Sequence, residues 1–283
     1  MADINVQQLI ADNPRLDEAT PDVLRGFADV IIKLAEEKEK ALRKEGGLKA
    51  APVIAGEQLR KIAGLFAKPG EESTFVDSFL ERAIALFGKT IGLGYSPEEL
   101  ELVYVPSSSE YTFAGLIDKL HEVRVAKGYK GDTHYQWEPL WKDKADVFGD
   151  YGLKDKPQLF VMLRGDGKDN LFFTNTKVSE QIVKAKKLFA DKPGTDYLTL
   201  AAYVSAQVVR ADNSKDGTKG LIDFNDGDWT FTRLPQFSED GFIETSDGRN
   251  VPNVYVNGGG RFKLRGSYVD ANSREGFRFA MGE

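Results

Sequence analysis

The chain has 283 residues, 41% of them hydrophobic, enough for one large core or two ordinary ones. It contains no Cys, which excludes disulfides, thiolate metal sites and thiol nucleophiles together. Its net charge of -6 argues against a general nucleic-acid or anionic-membrane binder, because phosphate contacts need clustered Lys and Arg.

The chain changes character near residue 128. Residues 1–128 carry 11 of the 28 Gly and 9 aromatics, with 16 Lys and Arg against 21 Asp and Glu. Residues 129–283 carry the other 17 Gly and 22 aromatics, with 22 basic against 23 acidic residues, so neither part is a basic footprint. Met1 to Ile10 is polar and acidic and lacks the basic and apolar segments of a signal peptide. No stretch approaches the ~18 apolar residues of a membrane span. The expectation is a product made in the cytoplasm, with no membrane insertion.

Thr20-Pro21-Asp22 predicts a helix start, with an N-cap, Pro at the first position and an acid in the first turn. Val23, Phe27, Val30, Ile31, Leu34, Ala41 and Leu42 follow at near-heptad spacing, and Gly46-Gly47 predicts the stop. Glu36-Glu37-Lys38-Glu39-Lys40 is charged all round. It reads as a solvated surface helix, with a coiled-coil seam or a projecting helix as the alternative.

A shorter helix is expected at about 56–67, and another from Ser73 with Phe75, Val76, Phe79, Ala83, Ile84 and Phe87 on one stripe. Ser96-Pro97-Glu98-Glu99 reads as a capping box, Leu100–Val105 alternates like a strand, and Ser109 opens a helix reaching Lys127. Residues 1–128 are therefore expected to form a helical docking module. Residues 129–157, with Tyr129, Tyr135, Trp137, Trp141, Phe148 and Tyr151, read as a packed aromatic connector.

In 158–283, Leu159–Leu163 and Leu171–Thr174 flank a Gly165–Asn170 turn and predict a hairpin. Amphipathic helices are expected at Val178–Ala190 and from Asp196. Strands are expected at Trp229–Arg233, Gly241–Thr245, Val254–Asn257, Arg261–Tyr268 and Gly276–Met281. The fold class expected is α+β: an N-terminal helical module, then a mixed α/β module of mainly antiparallel short strands.

Asp212-Asn213-Ser214-Lys215-Asp216-Gly217 places oxygen groups at positions 1, 3 and 5, Gly at 6, and Asp223 at 12. That is the spacing of a calcium loop, so Asp212, Ser214, Asp216 and Asp223 form the candidate metal site. Lys219 at position 8 and the closing Asp depart from the pattern, and an Asp-Gly turn between helix and strand is the other reading. Asp226 and Asp228 add further acids nearby. His121 and His134 are the only histidines, and both read as structural. Arg164-Gly165-Asp166 reads as part of a turn, and Gly258-Gly259-Gly260 as a turn rather than a phosphate loop.

Four segments of the C-terminal half carry a resemblance. They are Phe173-Thr174-Asn175-Thr176 with the helix after it, Tyr197 through Arg210, Gly220-Leu221-Ile222-Asp223-Phe224 with Trp229-Thr230, and Arg261–Tyr268 followed by Gly276–Ala280. In this order they resemble the formylglycine-generating-enzyme family and its C-type-lectin-like relatives, over about 160–283. The last pair looks like that family's closing strand pair. The family's oxidases need cysteine, so the resemblance implies a non-catalytic, lectin-like scaffold of the kind found on phage tail and receptor-binding proteins.

The sequence shows no nucleophile–base pair, phosphate loop or paired-carboxylate motif, so no enzymatic activity is expected; a glycosidase is the remaining catalytic alternative. The functional expectation is a structural or assembly protein of a virion head, neck or tail. It would make homo-oligomeric or larger contacts with protein subunits, with no cofactor beyond a possible calcium. The alternative is a soluble lectin-like module that recognises carbohydrate or protein.

Overall fold

Where the sequence predicts a stop at Gly46-Gly47 and a second start near residue 56, a single helix, α1, runs Pro21–Phe66 with Pro52 inside it. The computed structural model describes residues 21–133, 136–137, 152–166, 170–223, 231–234, 243–245, 248–257, 261–267 and 274–283. Each internal Gly costs a helix about 1 kcal/mol relative to Ala, and Pro forfeits one backbone bond. Burial of Ala51, Ala55, Leu59 and Ile62, one turn apart on one face, offsets that cost in the second half of α1.

The chain divides into two compact units between Lys49 and Ala50. The first unit contains the helical segment 21–49. Its described side chains are exposed, among them Val30, Ile32, Leu34, Leu42 and Leu48. No helix among the described residues is long and apolar enough to cross a membrane.

The second unit is α+β. The remaining helices are α2 (Glu72–Gly92), α3 (Phe113–Ala126), α4 (Val178–Asp191) and α5 (Leu200–Asn213). The Ser96 segment makes only a 3-10 turn over Pro97–Glu99, without a side-chain cap. The caps of α3 and α5 are Thr112 and Thr199, whose hydroxyls accept from Gly115 N at 3.0 Å and Ala202 N at 3.2 Å. Both helices therefore start three residues later than Ser109 and Asp196 suggested. In the sequence Asp196 looks like a cap, but it lies in a strand.

Two sheets complete the unit. The first joins β1 (Glu101–Val105), β3 (Gln158–Met162), β10 (Phe279–Gly282) and β4 (Thr195–Tyr197) in the order β1-β3-β10-β4, all antiparallel. The second joins β2 (Gln136–Trp137), β8 (Phe262–Ser267), β7 (Gly248–Val256), β5 (Phe231–Arg233) and β9 (Glu275–Gly276), with β6 (Ile243–Thr245) also on β7. Its β2–β8 and β5–β9 pairs are parallel and the rest antiparallel.

No division falls at residue 128. β1, from the stretch expected to be helical docking module, pairs along its whole length with β3. Alternation along β1 explains why. Val103 and Val105 face one core with α3, α5 and sheet two, while Leu102 and Tyr104 face another with the end of α1, α2, β3 and β10. Helix α5 is buried from Leu200 through Val208, and its alanines 201, 202 and 206 let α3 and β1 approach closely.

Two pairings differ from expectation. Gly165 N donates to Asn170 O at 2.9 Å, as the expected turn requires. The segment after it does not continue the hairpin, because Phe172 bridges Phe277 instead. The proposed closing pair is also split, since β8 lies between β2 and β7 in one sheet and β10 between β3 and β4 in the other.

Candidate functional site

A cleft of about 400 Å³ opens where α1, β1, the end of β3 and α5 meet within the second unit. Its apolar floor includes Leu102, Met162 and Val209, and its walls carry Lys61, Arg164, Arg210, Glu98, Glu99 and Glu101. The edge strand β1 is closed off from further pairing by Gln58. That side chain donates to Leu100 O at 3.0 Å and accepts from Leu102 N at 2.6 Å, as a neighbouring strand would. Beside it, Arg210 forks onto Glu101, with Nε to Oε1 at 3.0 Å and Nη2 to Oε2 at 2.6 Å.

At the cleft, Arg278 reaches into a fully buried polar cluster. Its Nη2 donates to Asp223 Oδ1 at 2.8 Å and its Nε to Thr232 Oγ at 2.9 Å. Asp223 Oδ2 accepts from Tyr203 Oη at 2.9 Å and Thr232 Oγ at 2.6 Å. Asp223 sits at φ 57°, a left-handed backbone that Asp tolerates better than most residues. Gln207 fixes the approach to it, pairing with both backbone groups of Ile222 at 2.8 and 2.9 Å.

A second buried pair lies alongside. Arg233 donates from Nε and Nη2 to Glu275 Oε2 at 3.0 and 2.8 Å, and from Nη1 to Gln181 Oε1 at 2.8 Å. Gln181 in turn donates to Phe173 O at 2.7 Å. Buried charges survive only when paired and hydrogen-bonded, and both carboxylates meet that condition. These two clusters stitch α4, α5, β5 and the segment leading into β10 together.

The four residues expected to share a calcium ion serve different partners. Asp212 takes an ion pair with Lys127 Nζ at 2.9 Å. Asp216 Oδ1 accepts from Ser214 Oγ at 3.1 Å, Thr218 N at 2.9 Å, Thr218 Oγ at 2.8 Å and Lys219 N at 2.9 Å. Asp223 belongs to the Arg278 cluster. Among the described residues no group of three His, Cys, Asp or Glu side chains is placed to hold a metal ion. The loop is built as an Asp-capped turn, and the chain's own cations neutralise it. Arg124 donates from Nε to Gly217 O at 2.7 Å, and the Asp216 carboxylate favours the charged form of that guanidinium. Gly217 is required here, because φ is +72° and a Cβ would meet Arg124 O at 2.8 Å.

The Asp216 carboxyl is held well below the ordinary carboxylate range, first by the Lys219 amide and then by the Thr218 hydroxyl and amide. His121 Nδ1 lies 3.1 Å from Thr133 Oγ, a structural contact. His134, Asp226, Asp228 and Gly258–Gly260 lie outside the described residues.

Sequence reading missed Gln58, Glu101, Arg210, Arg233, Glu275 and Arg278. The available signal was Arg inside apolar strand segments, as in Phe277-Arg278-Phe279, where a charge is costly unless a carboxylate meets it. No family model, no curated protein and no solved structure matches the chain.

Proposed function

We propose that the chain is a non-catalytic structural or assembly protein whose first unit makes contacts with other copies of itself. The observation that carries this reading is the set of exposed apolar side chains on α1. Val30, Ile32, Leu34, Leu42 and Leu48 are 55%, 55%, 56%, 60% and 43% exposed within residues 30–48 of the helix. Single exposed apolar residues need no explanation, but a concentrated set on one helix marks an interaction surface. The stretch holds its helical form by charge spacing. Asp29/Lys33, Glu36/Lys40 and Glu45/Lys49 all stand acid-first at four-residue intervals, each worth about 0.2–0.5 kcal/mol. The Glu45–Lys49 pair closes at 2.7 Å.

A subunit made in the cytoplasm and built into a larger particle, such as a virion head, neck or tail, is the use this reading has in view. Sedimentation of the full chain tests it: association that Leu34→Glu weakens supports the reading, and a monomer at every concentration overturns it.

A second reading, a binding module with a lectin-like second unit, draws on the cleft. Its mixed walls of Lys61, Arg164 and Arg210 against Glu98 and Glu99 suit a polar ligand better than an apolar one. Retention on a glycan array by a monomeric chain would favour it over the assembly reading.

A further inference from the structure

The charged groups that line the cleft fall into two sets. Arg210 is closed onto Glu101 at 2.6 Å, and Arg278 onto Asp223 at 2.8 Å. Lys61, Arg164, Glu98 and Glu99 are different. Among the described residues, none of these four side chains makes a hydrogen bond or an ion pair. They come from three places in the fold: Lys61 from α1, Glu98 and Glu99 from the 3-10 turn before β1, and Arg164 from just after β3. Two positive and two negative groups thus line one concavity without closing on one another.

Two amides lie beside them. Asn213 donates from Nδ2 to Val209 O at 3.0 Å, which leaves its Oδ1 as an acceptor. Asn170 has a φ of 60°, and its side chain has no partner among the described residues. The floor is apolar at Leu102 and Met162, and among the described lining residues there is no aromatic ring on which a sugar could stack.

We infer that the cleft binds a small zwitterion with an apolar body, of about dipeptide size. Its carboxylate goes to Arg164 and Lys61, its ammonium group to Glu98 and Glu99, and its body lies on Leu102 and Met162. The inference rests on the binding-module reading and names the ligand class that reading leaves open. An anion alone would have to face Glu98 and Glu99, and a cation alone would have to face Lys61 and Arg164. A ligand carrying both signs meets each set with its opposite. A guanidinium takes a carboxylate through two parallel hydrogen bonds, so Arg164 sets the orientation. The volume of about 400 Å³ is in the range of small-molecule sites. The four groups are exposed and stay hydrated until the ligand arrives, so each contact is modest and millimolar affinity is expected.

The full chain is titrated with L-leucyl-L-leucine, its C-terminal amide, its N-acetyl derivative and maltose, and binding is read by saturation-transfer NMR. Saturable binding of the free dipeptide is expected, with each derivative about ten-fold weaker and maltose not bound. Arg164→Gln is expected to weaken the dipeptide about ten-fold and to leave binding of the amide, which has no carboxylate, as in the wild type. The double variant Glu98→Gln/Glu99→Gln is expected to do the same to the dipeptide while sparing the N-acetyl derivative. All three side chains are exposed, and an unchanged melting curve checks that each variant is folded. Equal binding of the dipeptide and its two derivatives, or dipeptide binding unchanged in both variants, overturns the inference. Saturable binding of maltose without the dipeptide overturns it too and leaves the binding-module reading standing. No binding of any probe overturns the inference, and no retention on the glycan array in addition overturns the reading beneath it.

Discussion

Asp223 shows how much one buried carboxylate organises. It takes hydrogen bonds from Arg278, Tyr203 and Thr232, and it is 0% exposed. Asp223→Ala would remove the carboxylate that Arg278, Tyr203 and Thr232 all bond, and removing one partner of such a buried pair costs about 3–5 kcal/mol. Urea unfolding followed by fluorescence checks this, and a loss under about 1 kcal/mol would contradict the role given to the cluster. Asp216 makes a different prediction, because it is half-buried and acts by capping a turn. Its folded-state carboxyl lies below its ordinary value near 3.8, so its contribution is present above about pH 4 and is lost as the pH falls through the lower range. Wild type is expected to melt at higher temperature than Asp216→Ala near neutral pH, with the gap narrowing as the pH falls below about 4. The gap is expected to be the same with calcium and with chelator. A gap that appears only when calcium is added would restore the metal reading of Asp212, Ser214, Asp216 and Asp223.

At the scale of elements, α1 is the case where local rules and the wider structure disagree. Gly46 has φ and ψ that any residue adopts in a helix, and a Cβ built there meets nothing within 4 Å. Gly46→Ala is therefore expected to stabilise the helix by about 0.5–1 kcal/mol, read as a rise in thermal midpoint. Destabilisation would show that the glycine is needed for a contact between copies. The glycine pair looked like a stop in the sequence because propensity is local, and the apolar face at Ala51, Ala55, Leu59 and Ile62 that carries the helix onward is tertiary. Helices α2 to α5 were legible because each has an apolar stripe, and β1 because Leu102–Val105 alternates. Strand partners were not legible. β8 and β10 read as a closing pair in sequence, yet they lie in different sheets, because Phe277, Phe279 and Met281 bury against β3 and α2. The buried clusters were equally hidden. Asp223, Thr232 and Arg278 are far apart in the chain, and their spacing carries no motif.

For the molecule as a whole, the two units divide the work. The second buries its charges in pairs and closes its β1 edge with Gln58, the arrangement of a rigid body that resists pairing through its sheets. The first leaves Val30, Ile32, Leu34, Leu42 and Leu48 exposed on a helical segment. The most direct measurement is sedimentation velocity on the full chain beside the double variant Leu34→Glu/Leu48→Glu. The account predicts that the wild type sediments at twice the chain mass or more and that the variant sediments as a folded monomer. A wild type that sediments as a monomer throughout, or a variant that associates as tightly as the wild type, would contradict it.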